Sequence, residues 1–214
     1  MPALCLAALP ARPGAAAPPE GAEAEAVRLS GRALGEEVAI EVRDLSAAAG
    51  EAAVRAGLAR LEEVADLVAA TTERLNADAG SERTVALEPP AAELLARTLD
   101  FCAWSQGAHG PLGGSLAAHW RAAAGNPSPP PVPAALAESA GCERLELAAD
   151  GATARIAAGS RVDLSGFAAG FAVDRAIEAL RGAGAANGIV QAGRVVRAFG
   201  PGPPWAGGRG WPVL

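Results

Sequence analysis

The chain has 214 residues, of which 50% are apolar and 20% charged, as in a globular protein that can bury a substantial core. Its net charge of −6 and the lack of a basic stripe argue against nucleic-acid binding, and no segment is long and apolar enough to span a membrane. The three cysteines, Cys5, Cys102 and Cys142, are far apart in sequence. This spacing disfavours a zinc site or a redox pair, so buried free thiols are expected.

The first 28 residues are rich in alanine and proline. Residues 3–9 form a short apolar run and residues 15–17 are small, as in an export leader, but no positive charge precedes the run. Two interpretations stay open: a disordered tail, which we favour, or the remnant of a leader. We predict a folded domain over residues 29–214.

Three segments of the first half have clear periodicity. Val38, Ile40 and Val42 alternate with less apolar residues, which predicts a half-buried strand. Helical spacing then predicts a long helix through five apolar positions: Val54, Leu58, Leu61, Ala65 and Val68. A second helix is predicted from Pro90 to about residue 103.

Glycine and proline interrupt the middle of the chain. Residues 104–115 are predicted to form a glycine loop, and the proline-rich residues 126–133 an extended loop. Short strands at residues 145–147 and 154–156 flank Asp150 and Gly151, which predict a hairpin.

Residues 161–199 contain the most informative pattern. Asp163 closes a short apolar run, and Gly166 and Gly170 open an amphipathic helix that stops at Gly182 and Gly184. The predicted buried face of this helix consists of Val173, Ala176, Ile177 and Leu180. A second apolar run follows at residues 188–192. A glycine turn before a helix leaves backbone N–H groups free for a phosphate or pyrophosphate, although such turns more often only shape the chain.

These elements together predict an α+β fold. We expect a single domain in which helices flank a mixed or antiparallel sheet, because the strands and helices show no βαβ repetition.

Residues 163–176 read D-L-S-G-F-A-A-G-F-A-V-D-R-A and resemble the hallmark D-L-G-G-I-A-K-G-Y-A-V-D-R-A of the FAD:protein FMN transferases, the ApbE-like flavin transferases. Leu75 and Asn76 resemble the family's L-N, and residues 105–112 take the place of T-G-G-A-F-D-P-T. Residues 33–35 resemble its opening M-G-T. The likeness covers most of residues 29–205.

The resemblance implies a fold, an activity and a site. The family moves FMN from FAD to a threonine or serine hydroxyl of a partner protein with the help of Mg²⁺. The matching flavin-binding positions are Leu34, Ala108, His109, Gly110, Asp163, Ala169 and Gly170. The backbone carbonyl of Gly166 would be a metal ligand. The family is often exported, which implies the periplasm or cell envelope, whereas the cytoplasm follows if the N-terminus is no leader.

Departures from the family pattern bear on activity. The family's lysine falls on Ala169, the acid of its A-F-D loop on Gly110, the aromatic of that loop on His109, and the acid of N-A-G-G-D on Val195. Asp163 is the one acid of the family's site that this chain keeps. It could cap the turn that follows or contact the flavin, and we give these two roles equal weight.

The chain ends at Leu214, before the family's last third with its aspartate and threonine ligands of Mg²⁺. We expect impaired transfer, and three alternatives stay open: a working transferase, an inactive member that binds flavin or a partner, and a truncated fragment. A missing C-terminal portion would also leave a strand edge at residues 195–199, where self-association is expected.

Overall fold

The structure is a computed structural model that describes residues 26–212. The predicted tail or leader lies almost entirely outside the described residues, as does Cys5. Over the described residues the chain divides into two compact units, here called unit 1 (residues 26–65 and 169–212) and unit 2 (residues 66–168). No helix in the described part of the chain is both long and apolar enough to cross a membrane.

Unit 1 contains a four-stranded antiparallel sheet. Its strands are β1 (Val27–Ala33), β2 (Glu36–Val42), β6 (Gly188–Ala192) and β7 (Val195–Phe199), and they lie in the order β1-β2-β6-β7. The unit also holds the first part of α1 (Ala47–Ala77) and most of α5 (Ser165–Gly182). Consequently β1 and β7 are the outer strands of this sheet.

The core of unit 1 forms between one face of this sheet and its helices. Val38, Ile40 and Val42 are buried, which confirms the predicted half-buried strand. The four residues of the predicted apolar face of α5 are also buried, namely Val173, Ala176, Ile177 and Leu180. Gly57 of α1 permits close packing, because a Cβ there would lie 3.1 Å from Ile40 Cδ1 and 3.3 Å from Leu180 Cδ2.

Unit 2 combines short helices with a small sheet. Its helices, besides the ends of α1 and α5 that lie within it, are α2 (Pro89–Trp104), α3 (Gly114–Ala122) and α4 (Ala134–Glu138). Its strands β3 (Val85–Ala86), β4 (Leu145–Leu147) and β5 (Thr153–Ile156) are antiparallel in the order β3-β5-β4. The predicted hairpin around Asp150 and Gly151 is confirmed by the pairing of β4 with β5.

The predicted α+β fold with antiparallel sheets and flanking helices is confirmed. Helix α5 begins at Ser165, so Gly166 and Gly170 lie in its first turns as predicted, and the residues before it form only an isolated bridge between Gly113 and Arg161. One detail of the prediction is wrong. Cys102 and Cys142 form a disulfide instead of remaining free thiols. The division of the chain at residues 28 and 29 stays a prediction.

Candidate functional site

Unit 2 contains a cavity of about 250 Å³ where the loop at residues 105–113 meets the first turns of α3 and α5. Five of the predicted site residues line it: Ala108, His109, Gly110, Asp163 and Gly166. These residues are up to 58 positions apart in the sequence (166 minus 108), and the fold of unit 2 brings them together.

The other three predicted residues belong to unit 1. Ala169 and Gly170 are half-buried and continue α5, and a Cβ added to Gly170 would meet nothing within 4 Å. Leu34 lies in the turn between β1 and β2 with a φ of 57°. A positive φ is uncommon for leucine, and it suits the tight turn that joins these two strands.

Hydrogen bonds to its backbone hold the segment that carries Asp163 in place. Asn76 of α1 donates from Nδ2 to the carbonyl of Val162 at 3.1 Å and accepts from the Val162 N–H at 2.7 Å. The Gly114 N–H donates to the carbonyl of Arg161 at 3.0 Å, and the Asp163 N–H to that of Pro111 at 2.8 Å. Asn76, noted from sequence only as part of a family motif, therefore positions the strand-like segment beside the cavity.

Gly114 is required for this close approach. A Cβ at this position would lie 2.8 Å from the Arg161 Cγ and 2.9 Å from the Arg161 carbonyl oxygen, closer than real contacts allow. Because α3 begins here, the first turn of α3 and the segment before α5 lie side by side.

Asp163 carries a stable negative charge at the cavity. Burial alone would raise its pKa, but hydrogen bonds from Ser165 and the charges of Arg121 and Arg161 outweigh burial and lower the pKa below 3.8. The Ser165 N–H donates to Asp163 Oδ1 at 2.9 Å. Asp163 therefore caps the turn that follows it, which is one of its two predicted roles. The other role, a contact with flavin, stays a prediction.

Two helix N-termini meet at the cavity, because residues from the first turns of both α3 and α5 line it. Within the part of the chain that the structure describes, the N–H groups of Ser115, Leu116 and Gly166 have no hydrogen-bond partner. Unpaired N–H groups and the positive ends of helices favour anions such as phosphate. Arg121 and Arg161 add positive charge near Asp163.

The disulfide explains why position 110 carries no side chain. Cys102 at the end of α2 and Cys142 have Cα atoms 6.6 Å apart, and both sulfurs lie beside Gly110. A Cβ at Gly110 would lie 2.8 Å from the Cys102 Sγ. The acid that the family resemblance would place at this position is thus excluded by the disulfide.

The donor set at the cavity does not fit a resident Mg²⁺ ion. Mg²⁺ requires near-octahedral oxygen coordination, and Asp163 is the only carboxylate among the residues that line the cavity. Gly166 lies inside α5, where carbonyls accept hydrogen bonds from the next turn. Over residues 26–212, no group of three or more histidine, cysteine, aspartate or glutamate side chains is arranged to hold a metal ion.

Comparison with known proteins matches both the sequence pattern and the fold. A family model described as the ApbE family matches residues 34–213. The chain has no significant match among curated proteins.

Solved structures with a similar fold include ApbE proteins of three bacteria. The ApbE protein of Thermotoga maritima aligns with a TM-score of 0.68 and 22% identity, covering 83% of this chain and 60% of that one. The flavin transferase ApbE of Vibrio cholerae aligns with a TM-score of 0.67 and 23% identity, covering 88% of this chain and 62% of that one. The flavinyl transferase ApbE of Pseudomonas stutzeri aligns with a TM-score of 0.67 and 22% identity, covering 91% of this chain and 66% of that one. The chain thus spans 60–66% of the length of these structures.

Proposed function

This chain belongs to the ApbE family, and from that membership and the cavity of unit 2 we propose that it binds FAD as the donor for flavin transfer. In the transfer, a threonine or serine hydroxyl of an acceptor protein forms a bond to the FMN phosphorus. The bond between the two phosphates of FAD breaks, AMP leaves, and the hydroxyl proton is released. The observation that carries the proposal is the cavity at the first turns of α3 and α5, where N–H groups of both helices are unpaired.

We place the pyrophosphate of FAD at residues 166–170 of α5. Gly166 and Gly170 are four residues apart in one helix, so they share a face to which neither adds a side chain, and the His109 ring lies beside Gly166. The loop of Ala108, His109 and Gly110 would lie against the flavin or adenine ring. Arg121 and Arg161 would offset part of the negative charge of the pyrophosphate.

Titration of FAD into the purified protein by isothermal calorimetry tests this placement. Gly170→Val adds a branched side chain where a Cβ meets no protein atom within 4 Å, so the fold should tolerate it while the phosphate should not. Gly182→Val is the matched control, because Gly182 lies in the same helix and a Cβ there would also meet nothing within 4 Å. We expect Gly170→Val to weaken FAD binding and Gly182→Val to bind like the wild type. Equal affinities in all three proteins would exclude the placement.

A second candidate function, flavin binding without transfer, is favoured by the side chains that replace charged family residues. Gly110 cannot carry an acid beside the disulfide, and Ala169 and Val195 have no charge. Removing one charge-stabilising contact typically costs about 10²–10³ in rate, so three together would bring transfer below detection.

In-gel fluorescence of a threonine-bearing acceptor separates the two functions. The acceptor is incubated with FAD and this protein, with either Mg²⁺ or EDTA. No fluorescent acceptor band, under conditions where an intact flavin transferase gives one, would support flavin binding without transfer. A band that disappears with EDTA would support transfer instead.

The disulfide bears on where the protein folds. Disulfides form and persist in oxidising compartments, so the Cys102–Cys142 bond supports the periplasm or cell envelope over the cytoplasm. Alkylation of free thiols in the protein taken directly from its native cells checks this. Unmodified Cys102 and Cys142 are expected, and full alkylation of both would favour the cytoplasm.

A further inference from the structure

A continuous run of four aromatic rings leads out of the cavity of unit 2. His109 and Phe167 line the cavity, and their ring centroids are 4.9 Å apart. Phe101 of α2 contacts both of these rings edge-on at 5.8 Å. Trp104, at the end of α2, lies 5.2 Å from Phe101. We call Phe167, His109, Phe101 and Trp104 the aromatic run.

The outer half of the aromatic run is exposed. Trp104 is 77% exposed and Phe101 is 41% exposed, and the two rings are in contact. Single exposed apolar residues are ordinary, but adjoining exposed rings beside a cavity are typical of a binding surface. Trp120 differs, because it is 49% exposed but pairs with His119 on α3, outside the run.

The cavity is too small to enclose a whole dinucleotide. Pockets that enclose drug-sized ligands measure roughly 300–1,000 Å³, and FAD is larger than such ligands. A cavity of about 250 Å³ therefore encloses only part of FAD. With the pyrophosphate at the first turn of α5, a ring that leaves the cavity beside His109 and Phe167 next meets Phe101 and Trp104.

We propose that Phe101 and Trp104 extend the cavity as a stacking surface for one planar ring of the bound FAD, either isoalloxazine or adenine. This inference rests on the proposed FAD binding. Isoalloxazine and adenine both have flat π-faces that can stack on an aromatic side chain. The outer part of the aromatic run could hold such a ring while the ring stays partly in solvent. Stacking on an aromatic side chain typically strengthens binding of a base by about fivefold to a hundredfold.

Calorimetric titrations of FAD, FMN and ADP into the full chain test the stacking surface. Trp104→Ala removes the outer ring, Trp104→Leu keeps apolar bulk without a π-face, and Trp104→Phe keeps a smaller π-face. Trp120→Ala is the control, as it removes an exposed tryptophan of the same unit outside the run. Thermal unfolding of each variant checks that the fold is intact, and Trp104→Leu replaces Trp104→Ala if the latter unfolds.

We expect FAD to bind about tenfold more weakly to Trp104→Ala and Trp104→Leu, with most of the affinity restored in Trp104→Phe and none lost in Trp120→Ala. A parallel loss with FMN identifies the stacked ring as isoalloxazine, and a parallel loss with ADP identifies it as adenine. Wild-type affinity for FAD in Trp104→Leu would overturn the stacking surface and leave FAD binding standing. A wild-type protein that does not bind FAD would overturn both.

Discussion

The sheet of unit 1 and the site-bearing part of unit 2 are stabilised in different ways. In unit 1 the strands are linked by an unbroken antiparallel hydrogen-bond pattern, and buried side chains pack along one face of the sheet. In unit 2 the cavity is shaped by isolated contacts: the disulfide, the Asn76 side chain, and the close approach at Gly114. Stability is thus shared among many residues in unit 1, whereas in unit 2 single residues determine the shape of the site.

The largest expected effect is loss of the disulfide. The bond closes a loop of 40 residues, and by loop-closure entropy a bond of that span contributes about 4 kcal/mol to the free energy of unfolding. We expect a reductant to lower the stability of the wild type by about that amount in urea titration. The Cys102→Ser/Cys142→Ser double variant should have the lower stability with or without reductant. A wild type that is insensitive to reductant would contradict the contribution assigned to the bond.

A core truncation in unit 1 comes next. Ile40 is 2% exposed at the centre of β2, so Ile40→Ala should cost about 3 kcal/mol in unfolding free energy. The exposed Glu37 of the same strand is the control, and Glu37→Ala should change stability by less than about 0.5 kcal/mol. If the comparison holds, the folded Ile40→Ala protein keeps wild-type affinity for FAD. A large loss of FAD affinity in Ile40→Ala would show that packing in the sheet of unit 1 also determines binding at the cavity of unit 2.

Asn76 provides the opposite test in unit 2. Asn76→Ala leaves both backbone groups of Val162 without a partner, which should cost about 2 kcal/mol. Because that segment carries Asp163 to the cavity, FAD affinity should fall as well. Asn126→Ala is the control, since Asn126 also bonds to a backbone N–H, but in an exposed loop. Calorimetry and urea titration give both quantities, and an unchanged FAD affinity in Asn76→Ala would argue against a positioning role.

The smallest expected effect concerns Asp163 and depends on pH. Its pKa is lowered in the folded protein, so its contribution is fully present above the unfolded value near 4 and is lost as pH falls through the lower folded value. Asp163→Ala should cost about 1 kcal/mol at pH 7, in the range of a lost helix cap. The difference from the wild type should shrink below about pH 4 in acid titrations of stability. A difference that is the same at pH 7 and pH 3 would contradict the role of the ionised carboxylate.

Periodic segments were predictable from the sequence because their burial pattern follows from local geometry. The alternation around Ile40 predicted β2, and the apolar face ending at Leu180 predicted the buried side of α5. The short helices α3 and α4 were not predicted, since five to nine residues give too few turns for a periodic signal.

The contacts that shape the site were less predictable. The partners Cys102 and Cys142 are 40 residues apart, and sequence alone cannot pair them. Asn76 and Val162 are separated by 86 residues, so their hydrogen bonds follow only from the folded backbone. The motifs at residues 105–112 and 163–176 did indicate part of the site, and five of the predicted site residues line one cavity.

Hydrogen–deuterium exchange with and without FAD tests the central claim most directly, because it locates the ligand without any substitution. We expect FAD to protect the amides of residues 107–117 and 163–168, where the loop and the first turns of α3 and α5 surround the cavity. The amides of β2 and β6, which are already hydrogen-bonded within the sheet of unit 1, should not change. Protection confined to unit 1, or no protection at saturating FAD, would contradict binding at the cavity of unit 2.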